Sequence, residues 1–436
     1  MKKLLTSITS VMLVLMMLLG MTACVDGGDD PSSVDKEGNT IIKIMFHVDK
    51  SSTEGRAYQK RIDAFNAAYK DKKIKAQPIF KARTAGASGY ETELQNNQLD
   101  GTLADIITFD APNTAAYANS GLLYDISKLI PAEDQEKFYS LNTYNGKLYG
   151  LPIQESSAGF FYNKKIFREA GIDVSGYTAE NPWTFEQFKD VCAQLKNHGV
   201  TAVDMRIDAT KDETAPYLLY PFIYAAGGDF VSEDGYTATG FYNSAATAKG
   251  FQFIKDLISE NYTSYAIGST DFFTGKVGMY LSSGWTIPEL DNKHREHFAN
   301  RDEWGLLPYP KGTAAASATG SWSYAITNNH HEDKTYILEL LKWMTSAESS
   351  KTITDATGMI PARKDVENNY AVGSPEYTLM KQLELSGKER PVTVAYPTFS
   401  ITFNQIIAGL GNGDVNELLN AATNTLQDAM NKLKDR

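Results

Sequence analysis

The side chains able to do chemistry are few and scattered. The 436-residue chain has two cysteines, Cys24 and Cys192, and six histidines. Two cysteines build no disulfide framework. Met21-Thr22-Ala23-Cys24 closes a segment that begins with Lys2 and Lys3 and continues through an apolar run from Val11 to Leu19. That run is too short to span a membrane comfortably and reads as a secretory signal. Its last four residues have the form of a lipobox, the bacterial signal for acylating a cysteine before cleavage, with Met21 where leucine is usual. A signal cut by an ordinary peptidase, with Cys24 incidental, is the plainer alternative. Cys192 stands among Phe188, Val191 and Leu195 at helical spacing, the setting of a small core residue rather than a nucleophile. His294-x-x-His297 and His330-His331 have the residue type of metal ligands. The first pair lies among Asp291, Lys293, Arg295 and Glu296, the pattern of a solvated helix end. No G-x-S-x-G elbow, H-E-x-x-H helix, P-loop or G-x-G-x-x-G fingerprint occurs. No catalytic residue, metal or cofactor is therefore assigned.

These residues need elements to hold them. With 42% hydrophobic residues, 24 Tyr, 20 Phe and 5 Trp, the chain has ample material for a core and is not disordered throughout. A net charge of −11 argues against a nucleic-acid partner. Loss of residues 1–23 as a signal peptide removes two lysines and gives 40 − 53 = −13. Residues 24–39, rich in Asp, Gly and Ser, form the lipidated cysteine and its tether. From residue 41 the pattern alternates. Strand-like runs at 41–46, 74–80 and 104–109 are separated by helical spacing at Tyr58, Ile62, Phe65, Tyr69 and at Tyr90, Leu94, Leu99. Strand-helix-strand-helix-strand predicts a parallel α/β sheet. Ligands in such sheets sit beyond the carboxyl ends of the strands, which places His47, Asp49 and Asp110 at a ligand-facing edge. Asp110 could equally cap the helix that Pro112 opens, and His47 and Asp49 could form only a turn. Thr184 with Gln187 predicts a capping box, with Trp183 packing on the helix that runs through Leu195. Further helices are expected around 251–258, 336–344 and 415–433, and residues 312–321 read as a connecting loop.

A series of phrases along the second to fourth hundred residues resembles the family 1 extracellular solute-binding proteins of ABC importers. They run from Leu103-Ala104-Asp105-Ile106-Ile107 and Ser120-Gly121-Leu122-Leu123 to Tyr144-Asn145-Gly146-Lys147-Leu148-Tyr149-Gly150-Leu151-Pro152 and Phe161-Tyr162-Asn163-Lys164. Pro182-Trp183-Thr184, Gly275-Lys276-Val277-Gly278-Met279, Gly284-Trp285, Trp304-Gly305-Leu306-Leu307-Pro308 and Gly320-Ser321-Trp322 follow, then Gly358-Met359-Ile360-Pro361-Ala362-Arg363. Their order and spacing carry the resemblance.

The resemblance implies a two-lobe, periplasmic-binding-protein-like α/β fold, with interleaved lobes joined by a hinge of about three crossings. Crossings are expected near 152–156, 307–310 and 327–329. Lobe one would then be 40–152 plus 308–327, and lobe two 153–307 plus 328–436. It further implies a sugar or oligosaccharide in the cleft, an ABC importer permease as partner, and a monomer. With the lipobox, the expected location is the extracytoplasmic face of the cell membrane, lipid-anchored, at the outer surface or in the periplasm. Sugar recognition needs aromatic faces for the C–H side of a pyranose and rigid polar groups for its hydroxyls. Trp285 and Trp322 are the expected platforms. Asp110 and Glu155, with Gln154, Ser156 and Ser157, are the expected polar contacts. His47, Asp49, Arg363 and Tyr396 complete the candidates, with Phe399 weaker. The alternatives are a secreted glycosidase using two cleft carboxylates, or a binding protein for a peptide, polyol or sugar phosphate.

Overall fold

The computed structural model describes residues 34–83, 89–294, 296–320, 322–329 and 334–434. Cys24 and the His330-His331 pair lie outside the described residues. Two sheets organise the chain. The first holds six strands in the order Ile74–Phe80, Thr40–Phe46, Ile106–Asp110, Trp322–Ile326, Lys147–Pro152 and Asn142–Tyr144. The first three are parallel, as the alternation of strand and helix requires. Ile42, Ile44 and Phe46 point into one core and Met45 into another, so helices cover both faces.

The second sheet runs Trp304–Leu307, Ala158–Asn163, Val277–Ser283 and Thr201–Asp204. Phe160 and Leu281 pack on one side with Trp183, Phe188 and Phe222, while Phe161 and Tyr280 pack on the other with Trp304 and Phe272. The helix Phe185–Asn197 starts at the expected capping box, with both reciprocal hydrogen bonds formed by Thr184 and Gln187. Trp183 meets Phe188 edge-on at 5.0 Å and donates its indole N–H to the Pro308 carbonyl at 2.8 Å. This is a hydrophobic staple with a satisfied polar end. Cys192 is fully buried in the same core, and burial raises its thiol pKa. Among the described residues no helix is long and apolar enough to cross a membrane.

The chain passes between the sheets three times, at places that partly differ from the expected ones. The first passage follows Pro152 in the first sheet and reaches Ala158 in the second. The second lies between Ala318, in the core of the second lobe, and Trp322, in the first sheet. It does not lie at 307–310: Tyr309 is still buried in the second lobe's core and donates its hydroxyl to the Leu218 carbonyl. The third comes after 327–329 by more than thirty residues. The helices Thr335–Met344 and Ala347–Thr357 bury Ile337, Leu340, Leu341 and Ile353 against Ile62 and Phe65, so they belong to the first lobe. The apolar stripe of these helices is compatible with either lobe's core, and only contact assigns it. The return lies between Ala362, in the first core, and Leu379, in the second.

Candidate functional site

Sheet register brings the site together. Trp322 opens its strand opposite Asp110, the last residue of the antiparallel neighbour, so indole and carboxylate share one end of the first sheet. In the second sheet Ala158 pairs with Ser283, and Gly284-Trp285 leaves that strand beside the first passage between lobes. Gly284 has no side chain because Gly358, which ends the helix Ala347–Thr357 in the left-handed region at φ +74°, lies against it. A Cβ on Gly284 would stand 2.3 Å from the Gly358 carbonyl oxygen. This close approach fixes Trp285 at the mouth of the cleft.

The cleft has a volume of about 710 Å³ and is lined from both lobes. The first lobe contributes Thr53, Glu54, Arg83, Asp110 and Trp322, and the second Glu213, Tyr217, Trp285 and Glu289; Gln154, Ser156 and Gly320 line it from the passages between them. Its floor is a charge network joining the lobes. Arg390 grips Asp110 with two N–H groups, at 2.6 and 3.0 Å, and Glu213 at 2.8 Å. Such paired geometry suits arginine alone among the cations. Tyr396 donates its hydroxyl to the same Glu213 carboxylate at 2.6 Å and lies behind the guanidinium. Burial works against the Arg390 charge, but Asp110, Tyr396 and Glu213 outweigh it and hold its pKa raised. Its Nε is buried without a partner, as is the Gln154 amide oxygen.

The two tryptophans differ. Trp322 stacks on His47 with ring centroids 3.3 Å apart and planes 3° from parallel, and the Arg83 guanidinium lies 5.1 Å from its ring centre. His47 is buried and accepts or donates one hydrogen bond with Thr108 at 3.0 Å. Burial, and then the Arg83 charge, hold its pKa well below the usual histidine range, so the ring beneath the indole is neutral. Trp285 is 40% exposed and touches Tyr217, whose hydroxyl donates to Ser156 at 2.7 Å. Glu54, in the first turn of the helix Thr53–Ala68, accepts from Tyr58 at 2.5 Å, and burial pushes its carboxyl up to about 6.

Of the candidates read from sequence, the structure brings Asp110, Trp285 and Trp322 to the cleft, together with Gln154 and Ser156. Asp110 precedes the short Ala111–Asn113 turn but caps nothing with its side chain; it is taken up by arginine. The remaining candidates stand elsewhere. His47 lies beneath Trp322, and Tyr396 behind Arg390. Asp49 is exposed and turned onto the Ser51 N–H and hydroxyl at 2.7 and 2.6 Å, forming the turn before the helix. Glu155 alternates away from Gln154 and Ser156 and faces the far side of the hinge, where cavities of about 270 and 340 Å³ adjoin it. Arg363 is bound to Asp365 at 2.8 and 2.6 Å and to the Thr345 carbonyl, away from the cleft. Phe399 is core. His294 stacks on Phe273 at 3.9 Å. Among the described residues no three His, Cys, Asp or Glu side chains gather as a metal site.

Sequence reading missed Arg83, Glu213, Tyr217 and Arg390. Arg83 was reachable, since it follows the strand Ile74–Phe80 on the same sheet edge that singled out Asp110. Arg390 was not. It lies between the helices Pro375–Ser386 and Tyr396–Gly409 in a stretch with no periodicity.

Two α/β lobes with interleaved chain, closing on a polar and aromatic cleft, define a binding protein of the two-lobed type. The chain belongs to the bacterial extracellular solute-binding protein family, whose sequence profile matches residues 49–351. A binding protein of Brucella abortus is 26% identical over 295 residues, covering 66% of this chain and 69% of that one. The galactooligosaccharide-binding protein of Bacillus subtilis is 24% identical over 375 residues, covering 82% and 81%. In fold, the chain is similar to the cyclic alpha-maltosyl-1,6-maltose binding protein of Arthrobacter globiformis, with a TM-score of 0.75 at 23% identity, over 91% of this chain and all of that one.

Proposed function

We propose that this protein captures an oligosaccharide between its lobes and delivers it to an ABC importer, while acylated Cys24 holds it at the outer face of the membrane. The observation that carries the reading is the pairing across the cleft of an exposed indole, Trp285, with the Arg83–Asp110–Trp322 group of the other lobe. Trp285 suits the C–H face of a pyranose. The Arg83 and Arg390 N–H groups and the Asp110, Glu213 and Gln154 oxygens suit hydroxyls, which both donate and accept. Ligand contacts on both lobes favour the closed arrangement, and closure is the signal a permease can read. The binding of a galactooligosaccharide by one relative, and of a cyclic maltosyl sugar by a structural neighbour, agrees with this choice of solute. A hydrolase is less suited. A glycosidase needs a proton-donating carboxyl and a second carboxylate free to act on the sugar. Glu54, raised to about 6, suits the first task, but Asp110 and Glu213 both accept from Arg390 and Glu289 is paired with Lys293 at 2.9 Å. The test is a thermal-shift panel of mono- and oligosaccharides, polyols, glycerol phosphate, amino acids and peptides. A dose-dependent rise in Tm with an oligosaccharide class, without product by chromatography, is expected. A shift with a peptide or phosphate ester alone, or release of product, overturns the reading.

A further inference from the structure

Glu155 lies on the first passage between the lobes and touches the second passage and the segment that leads into the third. It pairs through its backbone with Ile360 on that segment. Its carboxyl accepts from Thr319, on the second passage, at 3.4 Å, and from Ser140 of the first lobe through a short hydrogen bond. It is 97% buried, being 3% exposed. The residues on either side of it, Gln154 and Ser156, line the ligand cleft, so alternation along the strand places Glu155 behind the cleft floor.

No cation compensates this carboxyl. The elements packed against it present Ser140 and Tyr139 from the first lobe, Thr319 from the second passage, and Glu389 from the segment before Arg390. Glu384 faces the same cavity and is paired with Lys381 at 2.7 Å; Glu233 borders the adjoining one. Arg390 also borders that cavity, but its N–H groups are committed to Asp110 and Glu213. Among the described residues the Glu389 carboxyl forms no ion pair or side-chain hydrogen bond. Burial first, and the Glu389 charge with it, push Glu155 up to about 7 against the pull of its two hydroxyl donors. Burial also raises Glu389. The lobes are joined at the cleft floor by Arg390–Asp110 and, behind it, by the Tyr144 and Tyr236 hydroxyls 2.8 Å apart.

We infer that Glu155 is a proton-operated catch in the hinge, holding the lobes closed when protonated and releasing them when ionised. Opening parts the passages and admits water to the carboxyl, whose charge is then solvated; closing strips that water from a site with a second carboxylate and no free cation. The closed form therefore takes up a proton. A carboxyl titrating at about 7 when closed and near its ordinary 4.5 when open shifts the closed-to-open ratio about ten-fold between about pH 8 and pH 6. The inference rests on the two lobes being a closing pair and is independent of which solute fills the cleft.

The experiment is small-angle scattering of the ligand-free protein from pH 5.5 to 8.5. The radius of gyration is expected to rise with pH in the wild type and to stay at the low-pH value in Glu155→Gln. Glu389→Gln keeps Glu155 and removes a charge that disfavours its ionised form, so the closed form is expected to persist more at high pH, with a smaller rise in radius and a lowered titration midpoint. A wild-type radius that does not change, the same transition in Glu155→Gln, or an unmoved midpoint in Glu389→Gln overturns the inference. Because no solute is used, a wrong solute class leaves this result standing, and a failed catch leaves the binding panel standing.

Discussion

Replacing Trp285 by alanine separates a binding tryptophan from a structural one. The side chain is 40% exposed at the cleft. A tryptophan presents up to about 250 Å², so about 100 Å² remains to be covered by a ligand. At about 25 cal/mol per Å² that area is worth about 2.5 kcal/mol, and a single sugar face covers most but not all of it. The expected loss is about 2 kcal/mol, or roughly 30-fold in Kd, on the scale of a buried aromatic anchor. Isothermal titration with the sugar that raises Tm measures it, and urea denaturation of the free variant gives the control. Stability is expected to change little, because Trp285 contacts Tyr217 but is in none of the hydrophobic cores. Trp322→Ala is expected to behave differently, losing stability as well as affinity, because His47 and Arg83 pack on its ring. An unchanged Kd in Trp285→Ala would refute the argument that this face is where the sugar stacks.

Arg390→Ala strips buried Asp110 of its two-pronged partner, leaving Arg83 at 3.5 Å, and Glu213 of one of its two donors, and is expected to cost about 3 kcal/mol in denaturant unfolding. A loss below about 1 kcal/mol would show that water reaches the floor. Glu54 has a folded pKa of about 6 against an ordinary 4.5, so the folded state holds the extra proton. Stability is therefore favoured below about pH 4.5 and declines as pH rises through about 6. Glu54→Gln is expected to remove that decline, gaining about 1–2 kcal/mol relative to wild type at pH 8 and nothing at pH 4; equal effects at both would contradict it. Cys24→Ser is expected to move the protein from the membrane to the soluble fraction in cells, and retention at the membrane would refute acylation there.

What the sequence made legible follows the range of the interactions involved. Strands, capping box and staple are set by residues within a few positions of one another, so Ile74–Phe80 and the Thr184–Gln187 cap stand where periodicity places them. The helices at 335–357 were legible as helices but not as part of the first lobe, because their apolar stripes fit any core. Asp110 was legible from the strand that ends at it. Arg390, its partner 280 positions away, was not, since nothing local to Arg390 requires an acid. Glu155 was placed on the correct segment and assigned to the wrong side of it. In a two-residue strand between passages, one position of phase decides between cleft and hinge cavity.

That phase ties the site's energetics to closure. A buried ion pair gains in attraction about what it loses in hydration, so Arg390–Asp110 does not by itself hold the lobes together. What the pair does is define one register, since its two-pronged geometry is met at a single position of the lobes. The Arg390 Nε and the Gln154 oxygen are buried there without partners, and a buried unsatisfied group costs about 1–3 kcal/mol. Closure without ligand therefore has a defined register but no large driving force. A solute that reaches the second lobe only once the lobes close shifts the equilibrium by the free energy of those added contacts, and about 2 kcal/mol carries a population near even to one more than nine-tenths closed. A cleft with a strong permanent latch would lose this sensitivity, and one without the ion pair would close in many registers.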